Sequence, residues 1–184
     1  MTDQPTTSHP ERNKDASDAP DREILTWTLF GEASRELTRQ IVESGWIPDL
    51  IVAIARGGLI PAGTISYAMD VKACGTMNVE FYTGVGETLD EPVLLPPLMD
   101  VSAMDGKRVL VVDDVADSGK TLKMVMDLID EHGLSLDGET QVKVDARCAV
   151  IYKKPVSIID PDYVWRDTDK WINFPWSTLP TITA

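Results

Sequence analysis

Val109-Leu110-Val111-Val112-Asp113-Asp114-Val115-Ala116-Asp117-Ser118-Gly119-Lys120-Thr121 decides the fold. Its opening run is apolar and largely β-branched, the pattern of a parallel strand covered on both faces. An acidic pair and a short polar loop follow. A helix pattern from about Gly119 to His132 then sets Leu122, Val125, Met126 and Ile129 on one face. Strand, loop and helix in direct succession form one unit of a parallel α/β sheet, and in such sheets ligands bind where strands end and helices begin.

The flanking segments repeat the alternation. Apolar residues Leu29, Ala33, Leu37 and Ile41 recur at helical spacing between Thr28, read as the N-cap, and the stop at Gly45. The run from Leu50 to Ala55 reads as a second buried strand, emptying into the turn Arg56-Gly57-Gly58 and a helix that starts near Pro61 and ends near Met69. Further strands are predicted over Thr76 to Tyr82, Arg108 to Val112, Val144 to Tyr152 and Tyr163 to Trp165. The expected fold is α/β, a mostly parallel twisted sheet flanked by helices.

Residues 1–21 are rich in Pro, Ser, Thr, Asp and charge with almost nothing to bury, and read as a disordered tail; residues 22–184 form a single domain. The stretch 83–106 lacks a helical period and is long for a connection, which suggests a lid or arm. A formal net charge of −13 argues against nucleic acid or an anionic membrane as partner. No apolar run approaches the ~20 residues of a membrane span, and a cytoplasmic location is expected. Cys74 and Cys148 are read as buried thiols, and with only two histidines a zinc site or a disulfide framework is not expected.

The loop after the acidic pair carries chemistry. Ser118, Gly119, Lys120 and Thr121 offer backbone N–H groups and hydroxyls at a helix N-terminus, a cradle for a phosphate dianion. A triphosphate P-loop would need glycine five positions before Gly119, where Asp114 stands, so that pattern fails. Two carboxylates beside a phosphate site repel a polyphosphate unless they face hydroxyls or a metal. Phosphoribosyl pyrophosphate (PRPP) brings both, with its 5-phosphate for the cradle, its ribose hydroxyls for Asp113 and Asp114, and a pyrophosphate that carries Mg²⁺.

The segment from Val109 to Thr121 resembles the PRPP-binding signature of type I phosphoribosyltransferases. In register with it, Arg56-Gly57-Gly58 resembles that family's pyrophosphate-binding loop. Tyr152-Lys153-Lys154-Pro155 and Asp169-Lys170-Trp171-Ile172-Asn173-Phe174-Pro175-Trp176 are similar to the base-binding hood of microbial xanthine-guanine and archaeal purine phosphoribosyltransferases. The resemblance spans roughly residues 24–180. It implies the type I fold with a small C-terminal hood over about 153–180, and transfer of ribose 5-phosphate from PRPP to hypoxanthine, guanine or xanthine in purine salvage.

Residue by residue it implies Asp113 and Asp114 at the ribose, Asp117 through Thr121 at the 5-phosphate, and Arg56, Gly57 and Gly58 at the pyrophosphate. Lys154, Trp171 and Ile172 fall at the base, with Trp171 stacking, Ile172 reading the ring edge and Lys154 donating to a 6-oxo group. Asp117 is also the candidate general base. Mg²⁺ is the expected cofactor, carried by PRPP near Asp113 and Asp114 without a direct protein ligand, and a homodimer or homotetramer is the expected assembly. Two positions depart from the pattern: Phe81-Tyr82 stands where a Ser-Tyr pair is common, and Ser177 where an acid often follows Pro-Trp. A PRPP-binding regulatory protein of the same fold is the alternative reading.

Overall fold

A computed structural model describes residues 22–80, 105–135 and 141–183, with strand backbone also at 83–84, 87–88 and 93–94. The expected tail, residues 1–21, and most of the expected lid lie outside the described residues, as do Phe81 and Tyr82. The elements in chain order are β1 (Arg22–Ile24), α1 (Trp27–Glu43), β2 (Leu50–Ala55), α2 (Leu59–Met69), β3 (Cys74–Glu80), β4 (Thr83–Gly84), β5 (Glu87–Thr88), β6 (Val93–Leu94), β7 (Arg108–Ala116), α3 (Lys120–His132), β8 (Leu134–Ser135), β9 (Gln141–Val142), β10 (Asp145–Lys153), β11 (Tyr163–Asp167) and β12 (Trp171–Asn173).

The main sheet has the order β11-β10-β7-β2-β3-β6, parallel throughout except for the edge strand β6. From β2 the chain winds to β3, whereas from β7 it winds the other way to β10 and β11. The direction reverses between β2 and β7, and the crevice at the carboxyl ends of those neighbours is where an open α/β sheet accepts ligands.

Strand alternation divides the core. Ile51, Ala53, Leu110, Val112 and Ile151 point to one face and pack against Phe30, Ala33, Leu37, Ile41, Ala62 and Ile65 of α1 and α2. Leu50, Val52, Ile54, Val109, Val111 and Val150 point to the other and meet Leu122, Val125 and Ile129 of α3. Each such Leu, Ile or Val, wholly removed from water, contributes about 1.5–3 kcal/mol of transfer free energy. The continuous apolar runs seen in the sequence are the consequence of helices on both faces.

Four local expectations are corrected. Helix α1 is capped by Thr26, not Thr28: the Leu29 N–H donates to the Thr26 hydroxyl at 3.2 Å and the Phe30 N–H to the Thr26 carbonyl at 2.8 Å. Strand β7 runs to Ala116 rather than stopping at Val112, because β10 pairs with it as far as Lys153↔Ala116 and carries the acidic pair inside the ladder. Strand β3 starts at Cys74, two residues earlier than predicted. Cys148 is buried as expected, but Cys74, opening β3 at the sheet's N-terminal end, is exposed.

The hood is built from both halves of the chain. Strand β12 pairs in parallel with β1 in the register Arg22↔Trp171, Glu23↔Ile172 and Ile24↔Asn173. Aromatic rings fasten it to the body: Phe174 stacks on Trp176 at 4.9 Å, and Trp176 meets Phe30 edge-on at 5.2 Å. Glu23 accepts from Arg166 at 2.9 Å and from the Tyr152 hydroxyl at 3.3 Å, so β1 is tied to β10 and β11 as well.

Candidate active site

The acidic pair lies in the last third of β7. The Asp114 backbone N–H donates to Asp113 Oδ1 at 2.8 Å. Burial, then the neighbouring Asp114 charge, holds the Asp113 carboxyl well above the usual carboxylate range. Burial likewise raises Asp114 to about 6, against hydrogen bonding from the Val115 backbone and the Trp176 side chain. Two carboxylates kept this dry are poised for donors or a cation.

Across the crevice the β2 strand delivers Arg56-Gly57-Gly58. The Ala55–Arg56 peptide is cis. The Gly58 N–H donates to the Ile54 carbonyl at 2.9 Å, and a Cβ on Gly58 would fall 2.7 Å from that same oxygen and closer still to the Val112 carbonyl. Gly57 leaves no room for a Cβ beside the Asp114 carboxylate, and Arg56 is exposed at the mouth. Only glycine allows this loop to lie directly on the acidic strand.

The loop after β7 wraps the N-terminus of α3. Gly119 is its N-cap with φ 73°, a left-handed conformation, and a Cβ there would fall 2.9 Å from Ile159 Cγ2 and overlap the Ser157 hydroxyl. The loop is held from behind, since the Ile158 N–H donates to the Ser118 carbonyl at 3.0 Å. No acidic residue stands in the first turn of α3, and Lys120 and Thr121 occupy its first two positions. The unsatisfied N–H groups of this helix start therefore meet a net positive end, the electrostatics an anion needs.

A cleft of about 360 Å³ opens beside the cradle, lined by Val115 and Asp117 from β7 and its loop, Lys154 after β10, and Trp171 to Phe174 of the hood, with Arg22, Ser177 and Thr178 at its rim. The volume is at the small end of the range for ligand pockets. Asp117, Lys154, Trp171 and Ile172, distant in sequence, thus come together. Trp171 is exposed, with no ring contact among the described residues, while Ile172 beside it is buried. The Lys154 ammonium donates to the Lys170 carbonyl, which anchors it at that end of β12. Its backbone N–H donates to the Ala116 carbonyl at 3.0 Å, binding the cleft to the acidic strand.

Sequence reasoning missed Arg22, Val115, Asn173, Phe174, Ser177 and Thr178 as lining residues. Arg22 directly follows the polar tail, where a lone arginine carries no signal, and Asn173 sat unremarked between residues that did. The Thr178 hydroxyl donates to the Phe174 carbonyl at 2.6 Å and Ser177 to the same oxygen at 3.4 Å, so the hydroxyl at the position where an acid was in question closes the hood's last turn.

A divalent ion fits the donor set in one way. Among the described residues no three His, Cys, Asp or Glu side chains form a cage. Two adjacent carboxylates suit Mg²⁺, which prefers one or two protein carboxylates with waters and substrate phosphates as its other ligands.

Doubly wound sheet, glycine-capped helix start, buried acidic pair and glycine loop at one switch point define an α/β enzyme of the nucleotide- and sugar-phosphate-handling class. Residues 21–180 match the model of the phosphoribosyl transferase domain, and the chain belongs to the phosphoribosyltransferase family. It is similar to a xanthine-guanine phosphoribosyltransferase of Gluconobacter oxydans, 32% identical over 158 residues covering 85% of this chain and 84% of that one. One from a Ruegeria species is 31% identical over 163 residues, 83% of each chain. Among solved structures, a purine phosphoribosyltransferase from Pyrococcus horikoshii superposes with a TM-score of 0.69 at 35% identity, covering 89% of this chain and 99% of the other.

Proposed function

We propose that this enzyme transfers ribose 5-phosphate from PRPP to a 6-oxopurine, releasing pyrophosphate, in purine salvage. The observation that carries the reading is the convergence of Asp117, Lys154, Trp171 and Ile172 on one cleft beside the Asp113–Asp114 pair. In this reading the N–H groups and hydroxyls of Ser118 to Thr121 bind the 5-phosphate, with Asp117 at the cradle's lip. Asp113 and Asp114 accept hydrogen bonds from the ribose hydroxyls, and Arg56, Gly57 and Gly58 bind the pyrophosphate.

The base N9 attacks C1 of the ribose as the C1–O bond to pyrophosphate breaks, through an oxocarbenium-like transition state. Asp117 holds or accepts a proton at N7 of the base, Lys154 donates to the 6-oxo group, the Ile172 backbone reads the ring edge, and Trp171 stacks on the ring. Arg56 draws negative charge toward the leaving group, an electrostatic contribution aimed at the transition state. Mg²⁺, carried by PRPP near Asp113 and Asp114, supplies further neutralisation of the leaving charge when bound. The stretch 83–106 is read as a lid that excludes water, and the working form as a cytoplasmic homodimer or homotetramer. No helix among the described residues is long and apolar enough to cross a membrane.

The cleft of about 360 Å³ that abuts the cradle supports transfer over PRPP sensing. The test is a product assay with PRPP, Mg²⁺ and hypoxanthine, guanine, xanthine or adenine. Nucleoside monophosphate should form from the three 6-oxopurines and hardly from adenine, whereas adenine as the best substrate, or no product from any base, overturns the reading.

A further inference from the structure

The strand β12 carries a cation at each end. The Lys154 ammonium is fixed at the Lys170 carbonyl, just before the strand. Arg22 pairs with Trp171 in the β1–β12 register, yet its guanidinium reaches along the strand and donates from Nη1 to Asn173 Oδ1 at 3.0 Å. Trp171 and Ile172 lie between. Three residues of strand span about 10 Å, enough for a flat bicyclic base to lie between the two cations with one substituent toward each.

We propose that Arg22, oriented by Asn173, is a specificity-determining residue that reads the 2-position of the base and favours a 2-oxo over a 2-amino substituent. This rests on the 6-oxopurine reading above, in which the 6-oxo group takes the Lys154 end. The 2-substituent, on the far side of N1 along the same ring edge, then falls at the Arg22 end. A guanidinium only donates, with five N–H groups in a fixed fork. One of them is committed to Asn173, which fixes the orientation of the fork and leaves others for the cleft that Arg22 lines.

A 2-oxo group accepts from that fork. A 2-amino group sets donor against donor, and a bare C2–H leaves the fork facing nothing. The order expected among the 6-oxopurines is therefore xanthine first, with guanine and hypoxanthine behind. Asp117 is the acidic side chain on the cleft wall, and in that reading it is engaged at N7 on the other ring. The Asn173 carboxamide oxygen already accepts from Arg22, so a 2-amino group would have to share that oxygen with the guanidinium.

The test measures kcat/KM for xanthine, guanine and hypoxanthine in the wild type, Arg22→Met and Arg22→Gln, with melting temperature followed in parallel. Methionine keeps the aliphatic stem and loses the fork. Glutamine keeps a donor for Asn173 but adds an acceptor. The wild type should favour xanthine over guanine, and Arg22→Met should lower the xanthine-to-hypoxanthine ratio at least about tenfold, in line with losing one polar contact to a substrate. Arg22→Gln should move the ratio toward guanine.

Should Arg22→Met fail to fold, Arg22→Gln alone decides through the guanine-to-xanthine ratio. Equal losses for all three bases would reduce Arg22 to a strut of the hood and sink the inference, as would a wild type that prefers guanine. Those outcomes leave hypoxanthine turnover in the wild type intact, whereas the absence of turnover with every 6-oxopurine overturns the purine reading itself.

Discussion

Gly57 and the Asp114 carboxylate occupy adjoining space so completely that a methyl group on the Gly57 Cα would fall 2.6 Å from Asp114 Oδ1 and nearer still to the carboxyl carbon. The Arg56-Gly57-Gly58 loop and the acidic pair are therefore one mechanical unit. Gly57→Ala is expected to push the carboxylate aside at a cost typical of overpacking, about 1–3 kcal/mol. Calorimetry should find PRPP·Mg²⁺ affinity reduced at least about tenfold, with circular dichroism showing the fold intact. Unaltered affinity would mean that Asp114 can bind its ligand from a different rotamer.

The raised pKa values of the pair give binding a pH dependence of definite sign. Asp114 moves from 3.8 to about 6, so between those values the folded protein holds a proton that the unfolded chain has lost. Stability from this group is present at low pH and declines as pH rises through that window. Ribose hydroxyls need ionised acceptors, so PRPP·Mg²⁺ affinity should run the opposite way, rising from pH 5 to 7 with proton release. Calorimetry in buffers of different ionisation enthalpy detects that release. Asp114→Ala should abolish most of it and weaken binding by about 1.5–3 kcal/mol, the loss of charge-assisted hydrogen bonds.

Asp117 lines the cleft proposed for the base, while its neighbours Ser118 to Thr121 form the helix start proposed for the phosphate. Asp117→Asn keeps size and hydrogen-bonding capacity but cannot accept a proton, so kcat should fall by roughly 10² to 10⁴ with PRPP affinity nearly unchanged. Single-turnover kinetics beside equilibrium binding separate the two effects. Turnover within about threefold of wild type would leave Asp117 as a loop residue.

In the proposed reading, Lys154 and Trp171 respond to different properties of the base. Lys154→Ala should depress kcat/KM for the oxopurines selectively, because a donor placed for an exocyclic oxygen is lost. Trp171→Ala should weaken all purines together by ~1–3 kcal/mol, since stacking ignores the exocyclic group. Comparing hypoxanthine, guanine, xanthine and adenine on both variants distinguishes the contributions. Parallel losses from Lys154→Ala would show its ammonium to be only the hood's tie to Lys170.

The parts of the fold legible in the sequence were those written in continuous apolar runs. Val109 to Val112 and Leu50 to Ala55 announce strands covered on both faces, and α3 shows its stripe plainly. What stayed hidden depends on pairing between distant segments. Asp113 and Asp114 look like the end of a strand by polarity, yet β10 holds them in the ladder. Thr26 and Thr28 are equivalent as caps until Leu29 chooses between them. Arg22 had no local pattern at all, because its place in the cleft is conferred by a partner 151 residues away.

That separation also orders events in time. A chain emerging from the ribosome can complete β2, β7, α3 and β10, and with them the acidic pair and the cradle, while β12 is still unmade. Strand β1, made before the other described strands, must wait for β12, the neighbour it pairs with. The half of the site proposed for the sugar phosphate is thus finished before the half proposed for the base, and base selection comes later than phosphate binding.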